Sequence, residues 1–205
     1  MAGIIRTLRP RVGAAAVIFM LSALGGCSIS PYVDTGLPEL RTEDRVNVAN
    51  PRPVQLLFEF QTKGVGNGQA TDFIKGEVVS TVQASGLFSQ SGPAPAPDGS
   101  LLHITINNVA LTDDAFAKGF ATGLTFGLAG TTATDGYVCT IDYLAAGSKK
   151  IQQVTRDAIY SNIGAKEAPP HAEKAASLEI AIKTVARRLV SNGLNDLAKN
   201  PDFPK

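Results

Sequence analysis

The chain has 205 residues, with 19 Lys+Arg against 18 Asp+Glu and only two cysteines, Cys27 and Cys139. So even a balance excludes the clustered basic face that nucleic-acid binding asks for, and it supplies no polybasic patch for anionic lipid. About 178 residues follow Gly26, enough for one domain with a real core.

Residues 1–26 read as a signal peptide. Arg6, Arg9 and Arg11 give a positive start, Val12 to Gly26 carry no charge, and small residues stand before Cys27. The apolar run falls short of the roughly 20 residues a spanning helix needs. Leu24-Gly25-Gly26-Cys27 resembles the lipobox of bacterial lipoproteins, which have a Leu three positions before the cysteine and small residues between. The resemblance implies that Cys27 is acylated, becomes the mature N-terminus and tethers the chain. Ser28 stands where an inner-membrane retention signal shows Asp, so the resemblance implies an outer-membrane lipoprotein. Without the three signal arginines, 16 basic residues face 18 acidic, a net charge of −2. Lipid then does the anchoring, each buried CH₂ contributing roughly 0.8 kcal/mol. With Cys27 lipidated, the mature monomer has no disulfide, and Cys139 reads as a small buried apolar residue of a strand.

Residues 27–52 are expected to be a flexible tether, rich in Ser, Pro, Asp, Asn and Arg and without period. The domain, 53–200, opens on a strand, Val54 to Phe60, with Leu56, Phe58 and Phe60 on one face. Gly64 to Gly68 turns the chain. From Gln69 to Ser85 the period is helical, with Phe73, Ile74, Val78, Val82 and Val79 as its apolar stripe. Thr71 or Asp72 serves near its start, and Gly86 fits the residue past its end. Leu87 and Phe88 enter a short strand, and a Pro-rich turn covers 91–100. Leu101 to Leu111 is the clearest strand, with Leu102, Ile104 and Ile106 on one face. Tyr137 to Leu144 alternates again and forms an antiparallel hairpin with Lys150 to Tyr160. Pro169 and Pro170 open a final helix with Leu178, Ile182, Val185 and Leu189 on its stripe. Gly193 weakens or ends it, and Arg187 and Arg188 fall on its solvated flank.

This order predicts an α+β fold: a two-layer sandwich, about four mostly antiparallel or mixed strands, two amphipathic helices on one face. The element order resembles small modules of envelope lipoproteins, including the lipopolysaccharide-assembly lipoprotein. Fold order says little of function.

The most informative stretch of the mature chain is 116–131. Small residues recur at Gly119, Gly123 and Gly127, beside a ridge of Phe116, Phe120, Leu124 and Leu128, with Phe126 between; residues 119–134 carry no charge. As a helix this would be a small-xxx-small groove, though each interior Gly costs about 1 kcal/mol. Three readings stay open: a connection packed on the domain's own core, an exposed apolar surface for a protein partner or self-association, and shallow insertion into lipid or a lid over an acyl chain. These eight residues are the expected partner or lipid contact.

Other signals are weak. Gly64-Val-Gly-Asn-Gly68 lacks the sixth glycine of a dinucleotide loop and the Lys-Ser/Thr of a phosphate loop. His103 and His171 have no partner at ligand spacing, and no zinc signature or nucleophile elbow occurs. Asp113, Asp114 and Asp135 are too few for an oxygen-ligand cation site. No catalytic, metal or cofactor residue is assigned. The expectation is a non-enzymatic accessory or partner-binding lipoprotein of the outer membrane, facing the periplasm. The rivals are lipid or glycolipid handling, and a periplasmic hydrolase whose residues meet only in space.

Overall fold

The computed structural model describes residues 29–111, 133–145, 147–163 and 168–204. Cys27 and the whole contact expected over 116–131 lie outside the described residues, as do Asp113 and Asp114.

The four long strands are those the alternation predicts: β2 (Arg52–Thr62), β5 (Leu101–Ala110), β6 (Ala133–Leu144) and β7 (Ile151–Ile163). The sheet nevertheless has eight strands rather than about four. The additional ones are short, β1 (Ile29–Asp34), β3 (Val65–Gly66), β4 (Phe88–Gly92) and β8 (Ala172–Lys174), and too polar or too brief to show a period. The order is β3-β2-β5-β6-β7-β1-β8, with β4 also on β2. β2 pairs in parallel with β4 and β5, because helix α1 (Gly68–Ala84) crosses over between them. The pairs β5–β6, β6–β7, β7–β1 and β1–β8 are antiparallel, so the sheet is mixed.

Strand alternation puts Leu102, Ile104 and Ile106 of β5 and Tyr137, Cys139, Ile141 and Tyr143 of β6 on the core face, all buried. The two helices cover that face. Helix α1 is capped by Asn67, whose side chain accepts from the Ala70 N–H. Gly86, past its end, has φ +70°, which suits glycine. The buried arc is Ile74, Val78, Thr81 and Val82; Phe73, one residue off that arc, is 45% exposed instead of core. The final helix, α2 (Leu178–Lys199), starts eight residues after Pro170 and is capped by Ser177. The prolines and His171 lead instead into β8. Val185 and Leu189 are buried as expected, whereas Leu178 in the first turn is half exposed. Gly193 does not end α2. A Cβ there would stand 2.7 Å from Ile141 Cδ1, so glycine lets the helix press against the sheet.

The expected tether folds as part of the sheet and its cover. β1 pairs with β7 from Ile29↔Ile163 to Val33↔Ile159, and Val33 and Val48 belong to the core. Its sequence, broken by Pro31 and ending in Asp34, is too short to display an alternation, and its partner strands lie far along the chain.

Candidate functional site

Strand registers define the two ends of the sheet. Ala110 lies opposite Asp135, Ala133 opposite Ser161 and Ile163 opposite Ile29. The chain therefore leaves β5 and re-enters β6 at the same end at which β1 begins. The β2–β3 turn and the first turns of both helices belong to this end too, through Thr62↔Val65, the Asn67 cap and the bond from the Ala175 N–H to the Pro31 carbonyl. The expected anchor at Cys27 is two residues from Ile29, and the expected contact 116–131 connects Ala110 to Ala133. Both departures are from one end.

That end is also where apolar side chains are left uncovered. Ile29, Val65, Phe73, Leu178 and Ile180 are 41% exposed or more. Only Leu57, Leu144 and Val154 join them as exposed large apolar residues among the described positions. Lys183 Nζ sits 5.3 Å from the Phe73 ring centroid, a cation–π contact on the outer surface of the two helices. The opposite end is closed by aromatic packing. Tyr143 and Phe203 are 5.1 Å apart, with Phe88 5.9 and 6.1 Å from them, and Tyr143 and Phe203 are buried.

Segment 29–50 is fastened to the helices by polar side chains. Arg187 Nε donates to Glu39 Oε1 at 2.8 Å, and its NH1 reaches Glu77 Oε1 at 3.2 Å. Burial alone would raise the Glu39 pKa, but the hydrogen bond and charge of Arg187, with Arg188, outweigh it and hold the carboxyl below the usual range. Asn195 accepts from the Val46 N–H at 2.8 Å and donates to the Asp44 carbonyl at 3.2 Å. Asn192 donates to the Pro38 carbonyl. Arg188, expected on a solvated flank, is buried; its NH1 donates to the Asp34 carbonyl at 2.9 Å. Polar residue types on α2 thus face a polar partner within the fold, a signal that periodicity does not carry.

Beneath this fastening lies a cavity of about 190 Å³ between segment 29–50, α1 and α2. Leu40, Val46 and Leu87 supply apolar walls and Glu77, Arg187 and Asn195 polar ones.

A second polar group sits under α2. The Asp34 carboxylate accepts from the Tyr160 hydroxyl at 2.7 Å and the Gly36 N–H at 2.6 Å. Asp157, fully buried, accepts from the Ala158 N–H at 2.8 Å, while its Oδ2 has no hydrogen-bond partner. Burial pushes the Asp157 pKa up to about 8, Asp34 adds to the rise, and the Ala158 N–H and Arg188 oppose it. A buried acid of this kind suits a catalytic base only where substrate reaches it, and Asp157 does not line the cavity. Burial pushes the Cys139 thiol up to about 12, against the hydrogen bond of Thr155, which leaves it a packing residue and no nucleophile.

The histidines are not brought together. His103 lies opposite Asp142 in the β5–β6 register. His171 has φ +59°, and its carbonyl accepts from the Thr35 N–H and hydroxyl. Among the described residues no group of three or more His, Cys, Asp or Glu could hold a metal, and no helix is long and apolar enough to cross a membrane.

No family model and no curated protein matches the chain. Among solved structures it is similar to the PelC dodecamer from Paraburkholderia phytofirmans, at 12% identity over 82% of this chain and 94% of that one, TM-score 0.33. It is similar to rare lipoprotein B from Shewanella oneidensis at 11% identity over 71% and 94%, TM-score 0.37. A minor lipoprotein from Acinetobacter baumannii gives 11% over 72% and 90%, TM-score 0.32. Likeness at this level names neither an activity nor a partner for this chain.

Proposed function

We propose that the chain is a lipid-anchored outer-membrane lipoprotein with an α+β domain facing the periplasm, acting as a non-enzymatic accessory or partner-binding component of the envelope. Cys27 carries the acyl chains. Phe116, Gly119, Phe120, Gly123, Leu124, Phe126, Gly127 and Leu128 make the contact with an envelope partner. The observation that supports this most is the lipobox cysteine placed two residues before Ile29. With both the acylated residue and segment 116–131 departing from one end, a partner contacted by that segment is one found at the bilayer surface.

A photocrosslinking residue at Phe120, with the lipobox intact in cells, tests the contact. A discrete protein adduct is the expected result, and its mass identifies the partner. Adducts confined to lipid or lipopolysaccharide would replace this reading with lipid handling. Absence of any adduct, with Phe120 shielded from a water-soluble label, would return the segment to the domain's own packing.

A further inference from the structure

Exposed apolar side chains gather at the end of the sheet where β1 begins. An exposed apolar residue taken singly needs no explanation. Here Ile29, Val65, Phe73, Leu178 and Ile180 come from two strands and two helices that meet at one end, while Leu57, Leu144 and Val154 are scattered elsewhere. The same fold closes its other end with Phe88, Tyr143 and Phe203. Among the described residues no such ring set closes the end where β1 begins.

Chain length places this end beside Cys27. Only Ser28 stands between Cys27 and Ile29, and each of the two residue steps spans at most about 3.6 Å, so Ile29 lies within about 7 Å of the acylated residue. Ile29 is itself locked in register against β7, so the domain has no slack to move away. At this end the exposed Lys63 and Lys174 and the half-buried Lys183 stand beside three exposed acids, Asp72, Glu173 and Glu179. That balance gives no electrostatic attraction for anionic headgroups and leaves apolar contact as the source of any binding.

We infer that this end of the domain, with Ile29, Val65, Phe73, Leu178 and Ile180, is a bilayer-docking surface that seats the protein on the membrane in one orientation. The side chains enter the boundary between headgroups and acyl chains, and Lys183 reaches back along Phe73 toward the headgroups. The inference rests on acylation of Cys27 and adds an orientation to it. It also makes the domain's far end, with Leu144 and the Phe203 cluster, the end presented to the periplasm.

The test uses the full lipidated protein in phosphatidylethanolamine–phosphatidylglycerol vesicles containing lipids brominated along the acyl chain. A thiol-reactive fluorophore is placed at Val65→Cys, Phe73→Cys, Ile180→Cys and, at the opposite end, Leu144→Cys. Cys139 is buried and does not compete for label. Quenching of at least twofold at the first three positions and none at Leu144→Cys is expected, unchanged between low and high salt. Circular dichroism melts keep each variant's folding on record. Absent quenching with acylated Cys27 verified by mass overturns docking and leaves the lipoprotein reading intact. Quenching that persists in a Cys27→Ser background, which has neither acyl chain nor competing thiol at that position, supports docking and removes the anchor. Equal quenching at both ends overturns the orientation. Shielding of Val65 and Ile180 in cells without quenching in vesicles assigns the surface to a protein and overturns its assignment to lipid.

Discussion

The two ends of the sheet are finished in opposite ways. At one, Tyr143 and Phe203 are buried with Phe88 against them. At the other, Val65 is 71% exposed and Ile29 61%. Hydrophobic side chains of the same kind do different work according to what faces them. Segment 29–50 shows the converse: beside its buried Val33 and Val48 it is largely polar, yet hydrogen bonds with Arg188, Asn192 and Asn195 hold it in place. What decides whether a residue is structural is its partner, not its polarity.

That contrast has measurable consequences. Phe203→Ala should cost the most, about 3–5 kcal/mol by thermal or urea unfolding, because it opens a cavity in the closed end. Arg188→Ala should cost about 2–3 kcal/mol, since it strips the Asp34 carbonyl of a charged donor in a buried setting. The amides of residues 29–36 should then exchange faster than those of β5.

Asp157→Asn should act through pH. In the folded protein Asp157 stays protonated up to about pH 8, while the unfolded chain releases its proton near the ordinary carboxylate pKa. The folded state therefore binds the extra proton between these values, and the Asp157 contribution to stability falls as pH rises through that window. The asparagine variant should lose this slope and be more stable than the parent at pH 8 by about 1–3 kcal/mol, with a much smaller gain at pH 4. Melting curves at the two pH values check it. The smallest effect belongs to the open end. Val65→Ser and Ile180→Ser should each change stability by no more than about 0.5 kcal/mol. Together they should lower quenching of a nearby label by bilayer lipids, which separates a docking role from a folding one.

Much of the fold was legible from period alone. The alternation of Leu102, Ile104 and Ile106, and of Tyr137 through Tyr143, marks β5 and β6 because one face of each is buried. Three strands escaped because they are brief: β1, β3 and β8 have at most six residues, and the pairing of β1 and β8 is set by distant chain. Phe73 and Leu178 read as core because a helical stripe defines an arc without saying how wide its cover is. Arg188 read as solvated because sequence carries residue type and not the carbonyl it will meet. The resemblance of Leu24-Gly25-Gly26-Cys27 to a lipobox, by contrast, rests on a local motif that needs no distant residue, and the cluster of exposed apolar residues became visible only when five distant residues were set at one end of the fold.

The central claim is that no tether separates Cys27, the proposed acylation site, from the domain. Hydrogen–deuterium exchange on the full lipidated protein in vesicles reads it directly, through peptides spanning residues 29–36. The account predicts protection of the β1 amides comparable to β7, their hydrogen-bonded neighbour. Exchange of those amides at the rate of an unstructured chain, with β7 still protected, would contradict it and restore a free tether.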